Sequence, residues 1–182
     1  MIQSFKKIMI RYLIREELNL LDFSIVKEKS KKIEHKLLSV KEIRKSETVF
    51  VYISMKDEVQ TFDIIDHLLE KGKKVVVPKV KGDKMEIVRF KENCKLVHGK
   101  YGILEPKGKD KYKGKIDVAI VPGLVFSMSG KRVGKGGGYY DKFLSENNDI
   151  YKIGVCFGFQ IFDEDIVPVE KHDIKMDKVI YD

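Results

Sequence analysis

Between Gly130 and Lys142 the chain reads Lys131-Arg132-Val133-Gly134-Lys135-Gly136-Gly137-Gly138-Tyr139-Tyr140-Asp141, with four glycines in five consecutive positions. Glycine has no Cβ, so successive backbone N–H groups can converge on a ligand and φ can turn positive at little cost. Lys131, Arg132 and Lys135 add positive charge where a polyphosphate would lie. The run enters a helix expected over Gly138 to Asn147, whose N-terminal dipole favours an anion. Asp141 falls in the first turn, within reach of a metal ion carried by phosphates. The pattern outlines a nucleotide site. A surface turn leading into a helix is the alternative, but three adjacent glycines carry an entropy cost that such a turn does not require. The spacing is neither of the two common phosphate signatures. No Lys-Ser or Lys-Thr pair follows the glycines, and Tyr139 stands where G-x-G-x-x-G has its third Gly.

Other residues have matching chemistry. Lys7 and Arg11 are four apart and share one face of a helix, either as ligand cations or as a solvated basic face. Glu58 follows a strand and precedes a helix, where a carboxylate can accept hydrogen bonds from a ligand ring or simply be a loop charge. His172-Asp173 lies in a C-terminal loop without a Ser or Cys nucleophile elbow, so Asp173 reads better as a second acid for a magnesium ion than as half of a base pair.

These residues need elements to hold them, and the chain alternates helix and strand. Ser4 is expected to cap a first helix through Leu20, with Ile8, Tyr12 and Leu13 on one face. Ser24 starts a second, with Val26, Ile33 and Leu37 at helical spacing. Strands are expected over Thr48–Ser54, Lys74–Pro78, Met85–Phe90, Ile116–Val121, Ile153–Phe157 and Lys178–Tyr181. Thr61 caps a helix carrying Ile64, Ile65, Leu68 and Leu69, which Gly72 ends. Lys91 to Lys115 reads as a long polar loop. Alternation of this kind indicates an α/β protein with a mostly parallel sheet, in which ligands sit beyond the carboxyl ends of the strands.

At 182 residues the chain is long enough for one well-buried core. No apolar stretch approaches membrane-spanning length, and Met1 to Lys7 has no apolar signal core, so cytoplasmic residence is expected. Cys94 and Cys156 make no metal or redox spacing and read as reduced thiols. A net charge of +8 is spread along the chain without an aromatic–Arg platform. That favours a solvated surface or small anionic substrates over nucleic acid, and neither nucleic acid nor membrane is expected as a partner.

Several segments then fall into one order: Lys7-x-x-x-Arg11; Tyr52-Ile53-Ser54 with Glu58-Val59-Gln60-Thr61; Val77-Pro78-Lys79; Gly102-Ile103-Leu104-Glu105-Pro106; Ile116-Asp117; Val121-Pro122-Gly123-Leu124-Val125-Phe126; the Gly130–Asp141 run; Gln160; and His172-Asp173 before Asp177. In this the chain resembles the 5-formyltetrahydrofolate cyclo-ligase (5,10-methenyltetrahydrofolate synthetase) family, nearly end to end. The resemblance implies a single-domain three-layer α/β/α sandwich over residues 1–182; a monomer is expected. It implies an ATP- and Mg²⁺-dependent closure of 5-formyltetrahydrofolate to 5,10-methenyltetrahydrofolate, with release of ADP and phosphate. Lys7 and Arg11 would contact ATP, as would Arg132, Val133, Gly134, Lys135, Gly136, Gly137, Gly138, Tyr139 and Tyr140. Arg11, Ile53, Glu58 and Lys135 to Tyr139 would border the folate, and Asp141 and Asp173 would hold the magnesium. Lys7, Arg132 and Lys135 would stabilise the transferring phosphoryl group. Val133 stands where the family often has Leu, and Lys135 where it often has an aromatic residue or Arg. Two other classes remain: a kinase-like or metabolite-repair enzyme with another phosphoryl acceptor, and a module that senses nucleotide or RNA.

Overall fold

Val49, Val75, Val118 and Ile153 face one apolar cluster, while their chain neighbours Phe50, Val76 and Ala119 face a second. Period-two alternation with both sides buried places these strands at the centre of a layered structure. The computed structural model describes the chain except Met1, Asp83, Asn93, Lys100, Tyr101, Ile103, Lys109 and the side chain of Ile2. Ile103, in the matched Gly102–Pro106 run, therefore lies outside the described residues.

In chain order the elements are α1 (Ile2–Leu20), α2 (Phe23–Leu38), α3 (Lys41–Lys45), β1 (Thr48–Val51), α4 (Phe62–Glu70), β2 (Lys74–Lys81), β3 (Lys84–Phe90), β4 (Leu96–His98) and β5 (Leu104–Pro106). They continue with β6 (Val118–Pro122), β7 (Val125–Phe126), β8 (Arg132–Val133), α5 (Tyr139–Ser145), β9 (Tyr151–Val155) and β10 (Lys178–Ile180). Six strands form one sheet in the order β10-β9-β6-β1-β2-β3, parallel throughout except that β3 runs antiparallel to β2. Residues of α1, α2, α3 and α4 pack on one face, Phe143 and Leu144 of α5 on the other. This is the mixed, mostly parallel sheet between helical layers that the alternation predicts.

Local chemistry explains the boundaries, including those that differ from expectation. Asp22, not Ser24, caps α2: its carboxylate accepts the Ser24 N–H at 2.7 Å. Ser4 lies inside α1. The α4 end is a Schellman turn, with Lys73 N–H donating to Leu68 O, Gly72 N–H donating to Leu69 O, and Gly72 at φ 72°. Ile64, Ile65 and Leu68 of α4 are fully withdrawn from water, each burial contributing about 1.5–3 kcal/mol. β2 continues past Pro78, where it has left the register of β1 and pairs only with β3, so the missing proline N–H is tolerated at an edge. The expected loop from Lys91 to Lys115 contains the β4–β5 hairpin. Lys79 fastens this hairpin by donating to the carbonyls of Pro106 and Gly108.

In α1 the buried stripe is Ile10, Ile14 and Leu18, whereas Ile8, Tyr12 and Leu13 are exposed. Both faces of this helix are apolar, so periodicity does not select the inner one.

Candidate functional site

The strand order reverses between β1 and β6, and the crevice beyond their carboxyl ends is where an open parallel sheet presents ligands. Three loops meet there. The first leaves β1 as Tyr52-Ile53-Ser54 and returns through Glu58 to α4. Thr61 sits at the N-cap position without capping α4. Its hydroxyl instead donates to Tyr52 O at 2.7 Å and accepts Ser54 N–H at 3.1 Å. Glu58 is held by the Met55 N–H at 2.8 Å, and Gln60 donates to Met55 O and Glu58 O. The spacing of Glu58 and Thr61 is thus a stapled loop that presents one carboxylate. Ile53 is buried beneath it.

The second loop is Pro122-Gly123-Leu124 after β6, pinned by the buried Gln160 side chain, which donates to the carbonyls of Gly123 and Leu124.

The third is the glycine run, launched by the β7–β8 hairpin into α5. Gly136 has φ 109° and Gly138 φ 67°, conformations that L side chains rarely adopt. A Cβ at Gly134 would lie 2.8 Å from Arg132 Nη1. α5 is shorter than expected, starting at Tyr139 and ending at Ser145. Lys131, one of the flanking cations, is turned away: its ammonium donates to Glu164 O at 2.6 Å. Hydrogen bonds from Ser129 and Ser127 hold the Glu164 carboxyl down to about 2, which fixes the turn that delivers Arg132.

α1 lies across the glycine run. Arg11 Nε donates to Gly134 O at 2.9 Å and Arg15 Nη2 to Lys135 O at 3.1 Å. Lys7, one turn earlier, is buried and points at the C-terminal loop, donating to Asp173 Oδ2 at 2.6 Å and Glu170 Oε2 at 2.7 Å. The Lys7 ammonium, by hydrogen bond and charge, holds the Glu170 carboxyl below its ordinary value. Asp173 Oδ2 also accepts the Glu170 N–H at 2.6 Å.

Arg132 and Asp141 form the floor. Arg132 Nη2 contacts Asp141 Oδ2 at 2.7 Å, with the guanidinium 5.8 Å from the ring centroid of Tyr140. Asp141 Oδ1 accepts the Ile174 N–H at 3.1 Å, so of the two acids expected at the magnesium, the Asp141 side chain reaches the backbone of the residue that follows Asp173. Arg132 is buried, and its Nε has no hydrogen-bond partner among the described residues. Tyr140 packs edge-on against Phe50, 6.3 Å between centroids, and burial raises its phenol pKa. Tyr139 reaches the other way, its hydroxyl 3.3 Å from Gly82 O.

Lys135 closes the crevice. Its ammonium lies 2.8 Å from Glu58 Oε1, 3.5 Å from Asp57 Oδ2 and 3.4 Å from Met55 Sδ. Behind this bridge, between Tyr52, Val59, Leu124 and Gln160, is an internal space of about 10 Å³, room for one water-sized body. A larger open trough of about 670 Å³ lies at the opposite, amino end of the strands, between Lys41, Lys74, Asp117 and Tyr151. Its charges are mixed and none of the assembled residues reaches it, so the carboxyl end is the better site.

The structure thus brings together Lys7, Arg11, Ile53, Glu58, the Arg132–Asp141 run and Asp173. Sequence reasoning missed Glu170, which shares Lys7 with Asp173, and Arg15, which holds the glycine run by its backbone. A Glu three residues before Asp173 was the available signal for the first. Glu170, His172 and Asp173 offer ligand atoms within 4.8 Å of one another. Carboxylate oxygens are the donors that a hard cation such as Mg²⁺ takes, and Asp173, Glu170 and Asp141 offer them, the first two now paired with Lys7 and the third with Arg132.

The sequence model of the 5-formyltetrahydrofolate cyclo-ligase family matches residues 3–182. A probable 5-formyltetrahydrofolate cyclo-ligase of Caenorhabditis elegans is 34% identical over 163 residues, covering 81% of this chain and 78% of that protein. The 5-formyltetrahydrofolate cyclo-ligase of Saccharomyces cerevisiae is 30% identical over 200 residues, covering 96% and 94%. The NMR structure of Aquifex aeolicus 5,10-methenyltetrahydrofolate synthetase superposes with a TM-score of 0.81 at 30% identity, over 100% of this chain and 90% of that one. A match across almost every residue, with the same fold beneath it, places this chain in the 5-formyltetrahydrofolate cyclo-ligase family.

Proposed function

We propose that the protein closes 5-formyltetrahydrofolate to 5,10-methenyltetrahydrofolate, using ATP and Mg²⁺ and releasing ADP and phosphate. The observation that supports this most is the clasp of α1 on the glycine run. Arg11 and Arg15 grip the backbone of Gly134 and Lys135, and Lys135 bridges to Glu58 over a closed space that would open to admit a folate.

A formyl amide is a poor electrophile because nitrogen resonance weakens its carbonyl. Attack of the formyl oxygen on the γ-phosphorus breaks the bond to ADP and converts that oxygen into part of a good leaving group. The N10 lone pair then forms the bond to the formyl carbon and N10 loses its proton. The C–O bond breaks, phosphate departs, and the amidinium of the product remains.

Negative charge accumulates on the transferring phosphoryl oxygens, so prepositioned cations and amide donors are the main tools. Lys7 exchanges Asp173 for the phosphates, Lys135 leaves Glu58 as the folate enters, and the glycine N–H groups line the path. Arg132 is buried under the run, where it pairs with Asp141 and donates to Pro122 O. Glu58 and Tyr139 hold the folate so that N10 lies against the activated carbon, a proximity effect. Asp141 and Asp173, with Glu170 adjacent, would hold Mg²⁺, which supplies charge neutralisation on the phosphates. No protein nucleophile is required. Burial raises the pKa of the Cys156 thiol well above its ordinary value, which keeps it inert.

No helix among the described residues is long and apolar enough to cross a membrane, and the cytoplasm is the proposed place of action. The test is a near-ultraviolet absorbance trace of the purified protein with 5-formyltetrahydrofolate, ATP and Mg²⁺. The conjugated product should appear only with all three present and vanish with EDTA. A flat trace from folded protein that binds ATP would point to another phosphoryl acceptor.

A further inference from the structure

Lys7, Arg11 and Arg15 stand four residues apart and form one line along α1. Lys7 answers two carboxylates, but the arginines do not. Among the described residues neither guanidinium meets an acid, although Glu16 and Glu17 follow directly. Each is bound instead to a main-chain carbonyl of the glycine run, Arg11 Nε to Gly134 O at 2.9 Å and Arg15 Nη2 to Lys135 O at 3.1 Å. The Arg11 guanidinium carbon is 3.7 Å from where a Cβ on Gly136 would stand, so the helix rests on the loop at that point.

Holding a carbonyl also aims an amide. None of the peptide bonds is cis, and in a trans peptide the C=O of one residue and the N–H of the next point opposite ways. Gly134 O turned toward α1 therefore turns the Lys135 N–H away from it. Lys135 O turned toward α1 does the same to the Gly136 N–H. Two successive amides then face one side, an arrangement that binds anions. Neither of these N–H groups donates to another main-chain group among the described residues. The φ of 109° at Gly136 lets the run continue from there at little cost.

We infer that Arg15 is a positioning residue for phosphoryl transfer. With Arg11 on the preceding carbonyl, it sets the Lys135 and Gly136 amides as a pair toward the phosphate oxygens, without touching the nucleotide itself. The inference rests on the ATP-dependent reading above. Arg11 is expected at both ligands, so its loss would mix two effects, whereas Arg15 acts through one peptide and isolates it. Arg15 is exposed, and truncating an exposed side chain costs little stability. Its removal frees the Lys135–Gly136 peptide to turn, and the loss falls on phosphate contact.

Amide resonances of the full chain, labelled with nitrogen-15 and titrated with the nonhydrolysable analogue AMP-PNP and Mg²⁺, test this. In the wild type the Lys135 and Gly136 amide protons should move downfield together as they bond to phosphate oxygens. Arg15→Ala should lose most of the Gly136 shift and leave the unfolding midpoint unchanged. It should also lower kcat/KM for ATP about ten-fold with the folate KM within two-fold, a donor misaligned rather than removed. Arg15→Lys keeps one donor and should recover most of both losses. A Gly136 amide that ignores the analogue overturns the inference, as does one that responds alike in wild type and Arg15→Ala. A loss in Arg15→Ala that only tracks a lowered unfolding midpoint also overturns it. The expected amide shifts without formation of the methenyl product would uphold the role of Arg15 and overturn only the choice of phosphoryl acceptor.

Discussion

The ammonium of Lys7 and the carboxylate of Asp173, 166 residues apart in the chain, meet at 2.6 Å, with the lysine almost wholly withdrawn from water. Glu170 shares the same ammonium at 2.7 Å. Under the proposed function this pairs the cation that would meet a phosphate with an acid that would meet a metal. ATP carrying Mg²⁺ would satisfy both at once, whereas ATP alone would free Asp173 and leave it uncompensated.

Lys7→Met should therefore raise the KM for ATP and lower kcat/KM for ATP by about 10²- to 10³-fold, on the scale of losing one prepositioned charge donor. Folate binding should change little. Steady-state kinetics with each substrate varied in turn checks this, and an unchanged ATP KM would remove Lys7 from the phosphate site.

Glu170 titrates below its ordinary value of 4.5 because Lys7 donates to it and lies beside it. A lowered carboxyl adds stability that is complete above the ordinary value and is lost as pH falls through the lowered one. Carbon-13 NMR of the Glu170 carboxyl should show its midpoint below 4.5 in the wild type and returned toward that value in Lys7→Met. Identical titrations would mean that the Lys7 contact does not persist in solution. Glu170→Gln should raise the ATP KM several-fold, and Glu170→Asp should recover part of the loss.

Arg132→Ala removes the buried partner of Asp141 and should cost about 3–5 kcal/mol of stability, measured as a lower denaturant midpoint. Its residual activity should be weaker in ATP use than in folate binding. Asp141→Asn keeps one acceptor oxygen, for either Arg132 or the Ile174 N–H, and turns an amide donor toward the other; it should fold with a lowered denaturant midpoint and modestly weakened folate binding, yet turn over no substrate. Normal turnover would take Asp141 out of the metal role.

Glu58→Gln should raise the folate KM about ten-fold while leaving the ATP KM within two-fold, the loss expected when a charged hydrogen-bond acceptor for a ligand ring becomes neutral. A rise confined to ATP would place Glu58 on the wrong substrate.

Much of this was legible in the chain. The glycine run, the strand–helix alternation and the two valine-rich strands rest on period and backbone freedom, which are local. What escaped was decided by distant partners. Ile8, Tyr12 and Leu13 look like the buried face of α1 until Lys7 and Arg11 are seen to be drawn inward by Asp173, Glu170 and the carbonyl of Gly134. Thr61 reads as a helix cap because cap and loop staple use the same hydroxyl, and only the fold shows it reaching Tyr52 and Ser54. The short strands β7 and β8 carry no period of their own. They exist because Arg132 and Val133 must pair with Val125 and Phe126 to bring the glycines over the crevice.

The central claim is that the formyl oxygen leaves as phosphate. Substrate labelled with oxygen-18 in the formyl group, turned over with unlabelled ATP and analysed by mass spectrometry of the released phosphate, tests it directly. One labelled oxygen per phosphate, formed in step with the methenyl product, is the predicted result. Unlabelled phosphate with the label recovered in water would contradict it, because ATP cleavage would then proceed without phosphorylation of the formyl oxygen.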